Sequence, residues 1–197
     1  MIFVYPAMRG QRRHGPAGYA EYTKYRPWLR DEFDFRCVYC LKRETWGQVT
    51  FDFELDHFKP QSLNPHLKLA YHNLVYACRR CNAVKHEQAV SDPFILLTGS
   101  RVTTLVDGSL KARDIETDRL IRQLDLNSPK LNRWRVMWMR IVDLAKDRDR
   151  NLYLQLVGFP DDLPNVARLR PPRNDREEGI EESWFARRRR GQLPDAY

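Results

Sequence analysis

Four cysteines, Cys37, Cys40, Cys78 and Cys81, are all that the chain contains, and they form two C-x-x-C pairs. Each pair can place two thiolates on one metal ion, and two pairs complete a tetrahedron, the closed arrangement of a structural zinc. A disulfide framework belongs to secreted chains. A redox C-x-x-C would use one pair and leave the other unexplained. Four protein ligands leave the ion no open position, so this zinc is expected to be structural. Between the pairs lies Glu54-Leu55-Asp56-His57-Phe58-Lys59-Pro60, followed by Asn73, with Asn82 and Lys85 just beyond the last cysteine. Taken singly, these are ordinary residues. Together, a carboxylate beside an imidazole at a strand end presents a metal ligand and a general base to one point, and a helix around Cys81 presents Asn82 from the opposite side.

Hydrophobic periodicity and turn residues predict much of the local structure around these positions. Val49 to Leu55 alternates, with Phe51, Phe53 and Leu55 on one face, which predicts a half-buried strand running into Asp56-His57. Pro60 and Pro65 mark a loop. Asn73 to Ala77 reads as a second strand delivering Cys78, and Arg80 to Gln88 as a helix. Upstream, Trp28 to Phe35 reads as a short helix ending at the first cysteine pair. Residues 1–27 read as an extended start and loop in which basic and aromatic residues interleave (Arg12, Arg13, Tyr19, Tyr22, Lys24, Tyr25, Arg26), a pattern that suits nucleic-acid contact and core packing alike.

Downstream, Arg101–Val106 and Ser109–Ala112 flank Asp107-Gly108, the signature of a two-residue hairpin turn. Residues 114–125 carry Ile115, Leu120, Ile121 and Leu124 at helical spacing. Ser128-Pro129 opens the longest expected helix, residues 129–150, with Leu131, Trp134, Trp138, Ile141, Val142 and Ala145 on one stripe. Beyond Pro160 the chain is loop-rich, with a tail that can form a helix. Arg187 to Arg190 read equally as a phosphate-contacting run and as a solvated one.

In order, spacing and residue type, Cys37-x-x-Cys40, Asp56-His57, Asn73-Leu74 and Cys78-x-x-Cys81-Asn82-x-x-Lys85 resemble the signature of the zinc-stapled HNH endonucleases. The likeness covers about residues 33–92. It implies an α+β fold: a ββα-metal nuclease core with a structural zinc, here followed by a mainly helical extension. It divides the chain into an N-terminal arm (1–27), a nuclease core (28–95) and a hairpin and helical extension packed on that core (96–197). It implies that His57 is the general base, that Asp56 and Asn82 hold a catalytic magnesium or manganese ion, and that Asn73 steadies the loop and the histidine. Lys59 and Lys85 are the implied phosphate contacts, with Lys85 counted among the catalytic residues beside His57 and Asn73, and the excess positive charge adds Arg79 and Arg80 around the motif as phosphate-binding residues. Many members carry His where this chain has Asn82. His86, one turn on, is the alternative ligand, but a hard magnesium ion suits an amide oxygen. The implied reaction is metal-dependent hydrolysis of DNA, leaving 5′ phosphate and 3′ hydroxyl ends. The alternatives are a zinc-ribbon module that binds nucleic acid without cleaving it and a nuclease subunit active only when a partner complex recruits it. Residues 114–150 resemble the helical extension of some bacterial HNH proteins linked to phage defence and mobile elements, which makes a defence partner an expectation by analogy alone.

The 197-residue chain carries 34 Lys+Arg against 26 Asp+Glu, a net charge of +8. Such a surplus favours a polyanionic partner, nucleic acid first, held mainly through phosphates and therefore sensitively to salt. No apolar run is long enough to cross a bilayer, and Met1 to Tyr5 stops at Pro6, too short for a signal-peptide core. The expectation is a soluble cytoplasmic protein with no membrane partner.

Overall fold

The computed structural model describes residues 2–7, 10–46 and 52–197. The chain starts extended and forms β1 (Pro16–Ala17), then a 3-10 turn over Tyr22–Tyr25 that leads into α1 (Arg26–Glu32). Pro27 suits the first turn of α1, where its missing N–H costs nothing. Asp34 and Phe35 stop the helix short of the expected Phe35, because both take left-handed φ angles (53° and 56°) that turn the chain into the first cysteine pair.

The centre is an antiparallel pair, β2 (Phe53–His57) and β3 (Leu74–Cys78), in register from Phe53↔Cys78 to His57↔Leu74, with α2 (Arg79–Lys85) following β3 directly. This is the ββα unit that the likeness implied. The start of the expected strand, Val49 to Phe51, lies outside the described residues. The helix expected to reach Gln88 ends at Lys85, because His86 takes φ 48°. β2 is also more enclosed than a half-buried strand: Phe53 and Leu55 are buried, and so are Asp56 and His57.

The rest of the chain wraps this unit. α3 (Pro93–Leu96) is capped by Asp92, which accepts from Phe94 N. β4 (Val102–Thr104) and β5 (Leu110–Ala112) pair as the expected hairpin. Its connection is one residue longer than a two-residue turn: Leu105 N donates to Ser109 O and Gly108 N to Leu105 O. Gly108 sits at φ +79°, and a Cβ there would lie 2.3 Å from Asn132 O. That combination marks a three-residue loop with glycine in the left-handed position.

α4 (Ile115–Gln123) starts at Asp114, whose side chain accepts from Thr117 N, and α5 (Pro129–Arg148) follows. α5 buries Leu131, Val142 and Ala145, and packs Trp138 flat on Trp46 with ring centres 4.4 Å apart. Ile141, expected on the buried stripe, is exposed. Arg135 is fully buried instead, because its guanidinium donates to the carbonyls of Gly108 and Leu126 at 2.7 and 2.8 Å. α6 (Arg150–Val157), β6 (Arg173–Asn174), α7 (Glu178–Glu181) and α8 (Trp184–Arg189) complete the chain, with β6 paired to β1. Among the described residues, helices and three two-stranded sheets make the fold α+β. Among the described residues, no helix is long and apolar enough to cross a membrane.

Within the interleaved N-terminal segment, Lys24 is exposed, but several of the basic and aromatic side chains pack inward. Arg12 lies over the rings of Phe33 and Phe94 and donates to Leu74 O, Arg13 pairs with Asp31 at 2.8 Å, and Tyr25 and Trp28 are buried.

Candidate active site and metal centre

The cysteine cluster is built by two chain reversals. Cys37 N donates to Lys42 O, Leu41 N to Cys37 O, and Val38 N to Tyr76 O, which pins the first loop against β3. Cys78 ends β3 and Cys81 lies in the first turn of α2. All four thiols are buried, with ligand atoms within 4.8 Å of one another. Tetrahedral zinc with Zn–S bonds of about 2.3 Å requires sulfurs about 3.8 Å apart; Cys40 and Cys78 Sγ are separated by 3.7 Å. Burial pushes the Cys37 thiol well above its usual range, whereas hydrogen bonds from Cys37, Cys40 and Cys81 hold Cys78 far below it. One thiolate can be carried by its neighbours; four buried thiolates require a cation. The donor set therefore fits zinc.

A second constellation lies along β2 and α2. Strand alternation puts Glu54 and Asp56 on the face toward α2, where the helix offers Asn82 and Lys85, one turn apart. Asn82 Nδ2 donates to Glu54 Oε2 at 2.5 Å, and Lys85 Nζ pairs with Asp56 Oδ1 at 2.9 Å. The other Asp56 oxygen accepts from the Tyr39 hydroxyl at 2.6 Å. Asp56 is 4% exposed and Lys85 1%. Burial raises the carboxyl pKa of Asp56, while Lys85 and Tyr39 pull it back down. This pair occupies Lys85, so the lysine does not lie on the surface where a phosphate contact was expected. His86 is exposed at the end of α2, and it is Asn82 that meets a carboxylate of β2, that of Glu54.

His57 is held from several sides. Its ring nitrogen Nε2 lies 2.9 Å from the carbonyl oxygen of Lys68. A carbonyl only accepts, so Nε2 carries the hydrogen and the neutral ring has its lone pair on Nδ1. Gln61 Nε2 lies 3.1 Å from that Nδ1, and the ring of Tyr22 meets the imidazole edge-on at 4.9 Å. Burial lowers the imidazole pKa from 6.5, against the Lys68 hydrogen bond, which raises it. Asn73, fully buried, brackets the loop after His57: its amide accepts from Lys59 N and donates to Lys59 O, both at 3.0 Å.

The basic residues divide. Lys59 is exposed, and Arg79 is 73% exposed with a long 3.7 Å contact to Glu54. Arg80 turns away to Asp125, donating to its carboxylate at 2.9 Å and to Leu124 O, which joins α2 to the segment after α4. Three neighbours of the site escaped the sequence reading. Glu54 was recoverable, since it stands two residues before Asp56 and must share its face. Tyr39, between the first two cysteines, and Gln61, four residues after His57, carried no signal of their own.

Residues 37–88 match the family model of the HNH endonucleases. The match runs from the first cysteine pair through β2, β3 and α2 and therefore spans both constellations. No curated protein matches the chain.

Proposed function

We propose, taking residues 37–88 as an HNH endonuclease domain, that the protein is a metal-dependent endonuclease that hydrolyses DNA phosphodiester bonds with His57 as general base. The observation that carries this reading is the single tautomer imposed on His57 by Lys68 O. It gives the ring one basic nitrogen, Nδ1, in a setting that keeps the imidazole neutral at pH 7. A neutral imidazole can take a proton from water at that pH.

A phosphodiester is an anion that repels a nucleophile. Asp56, Asn82 and Glu54 offer a carboxylate, an amide and a second carboxylate, an oxygen donor set that fits a hard divalent cation. Asp56 and Asn82 would hold it, and each Asp56 oxygen keeps a lone pair beyond those given to Lys85 and Tyr39. Magnesium or manganese bound there supplies charge neutralisation at the scissile phosphate and the departing oxygen. His57 Nδ1 takes a proton from water, whose oxygen bonds to phosphorus as the bond to the 3′ oxygen breaks. Asn73 fixes the loop that carries the base, and Lys59 and Arg79 engage neighbouring phosphates. A role in phage defence or mobile-element biology rests on the family analogy of the helical extension.

One observation favours a second reading, nucleic-acid binding without cleavage: Asp56 is enclosed, with both oxygens engaged. The two are separated by incubating the purified protein with duplex DNA and with RNA of the same sequence, with and without added magnesium or manganese. Divalent-dependent cutting of DNA supports the nuclease; binding without cutting in every metal supports the second reading.

A further inference from the structure

His57 is 6% exposed, although a general base must meet water. The cover over its lone pair is specific. With Nε2–H committed to Lys68 O, the free pair on Nδ1 can only accept, and the group placed to donate to it is the Gln61 amide at 3.1 Å. The backbone around Gln61 is well held. Asn73 clamps Lys59 from both sides, and Leu63 N and Asn64 N both donate to Pro60 O. The Gln61 side chain itself is only half-buried, so it can leave the ring without moving the loop.

We infer that Gln61 is a latch on the base: its amide occupies Nδ1 in the free protein, and the lone pair is released only when the water that accompanies a bound phosphodiester displaces it. Gln61 is thus a positioning residue that acts through His57, and this inference rests on the nuclease reading. The latch separates two requirements that one imidazole must meet. Lys68 O sets the ring's tautomer permanently, and Gln61 sets when its nitrogen is available. Opening comes after substrate binding, so its cost falls on kcat rather than on KM.

The test uses Gln61→Leu, which keeps the bulk and removes the donor, beside Gln61→Glu, whose carboxylate only accepts and so favours the protonated ring. Two readouts are taken on the full chain. The first is the rate at which diethylpyrocarbonate modifies His57 without substrate, read by peptide mass spectrometry, with exposed His66, His72 and His86 as internal standards. The second is single-turnover cleavage. One hydrogen bond of ordinary net strength corresponds to roughly a 2- to 10-fold effect. Gln61→Leu is expected to accelerate His57 modification and to raise the single-turnover rate by that factor, with KM unchanged and the three standards unaltered. Gln61→Glu is expected to slow cleavage. Unchanged modification of His57 in Gln61→Leu would overturn the latch, as would a fall in its cleavage rate, which would instead make Gln61 an aid to the attacking water. The modification arm needs no nuclease activity. Faster modification with no cleavage by any variant would therefore leave the latch standing and count against the nuclease.

Discussion

The hydroxyl of Tyr39 donates a 2.6 Å hydrogen bond to Asp56 Oδ2, tying the first cysteine loop to the strand that ends in His57. Tyr39 stands between Cys37 and Cys40, and Asp56 is the residue before the proposed base. The thiol cluster and the proposed catalytic carboxylate thus share one buried network. Whatever orders the cysteine loop also orders Asp56.

Tyr39→Phe removes that donor and leaves a buried acceptor short of one partner. The expected cost is about 1–3 kcal/mol of stability. Urea unfolding should show it as a lower midpoint at an unchanged slope. A midpoint equal to that of the unaltered protein would mean that the contact contributes nothing.

Lys85→Met strands the Asp56 charge in the interior. Breaking a buried pair from one side costs about 3–5 kcal/mol, more than loss of the Tyr39 bond. Adding Asp56→Asn should recover a substantial part of the loss, because the uncompensated charge is gone. A double variant as unstable as the sum of the two single changes would show that the pair is not coupled.

Zinc removal should unfold the centre of the molecule. Elemental analysis is expected to find one zinc per chain, and Cys78→Ser to lose the metal along with cooperative unfolding, since binding of a structural zinc is coupled to folding. Zinc-free protein that retains a cooperative transition would argue that the four thiols merely pack.

The pH dependence of cleavage follows from the burial of His57. A general base works unprotonated, so kcat/KM should rise with pH through the imidazole pKa and then level off. Burial lowers that pKa from 6.5, so the rising limb is expected below pH 6.5. A midpoint at pH 7 or above would contradict the assignment of the base.

The sequence carried the parts of this site that depend on spacing. Two C-x-x-C pairs can close on one ion wherever the chain runs between them, so the thiol cluster was legible without a fold. The two-residue period of β2 announced the placement of Asp56, and that of Glu54 was there to be taken. What stayed hidden depends on chain reversals. Lys68 fixes the His57 tautomer through its backbone carbonyl, which no residue type can reveal, and the Tyr39–Asp56 bond exists only after the cysteine loop folds onto β3. In the extension, the apolar stripe gave no sign that Arg135 is a buried donor to two carbonyls, or that Ile141 is exposed. Arg80 likewise spends its charge on Asp125, a contact between segments far apart in sequence.

The central claim is that His57 takes the proton from the attacking water. The most direct measurement compares His57→Ala with the unaltered protein, both at full zinc content, for cleavage of supercoiled plasmid in magnesium and for binding of a short duplex. The prediction is loss of cleavage by at least about 100-fold, the low end of general-base contributions, with affinity for the duplex held within a few-fold. Cleavage by the zinc-loaded His57→Ala protein at the rate of the unaltered protein would contradict the account.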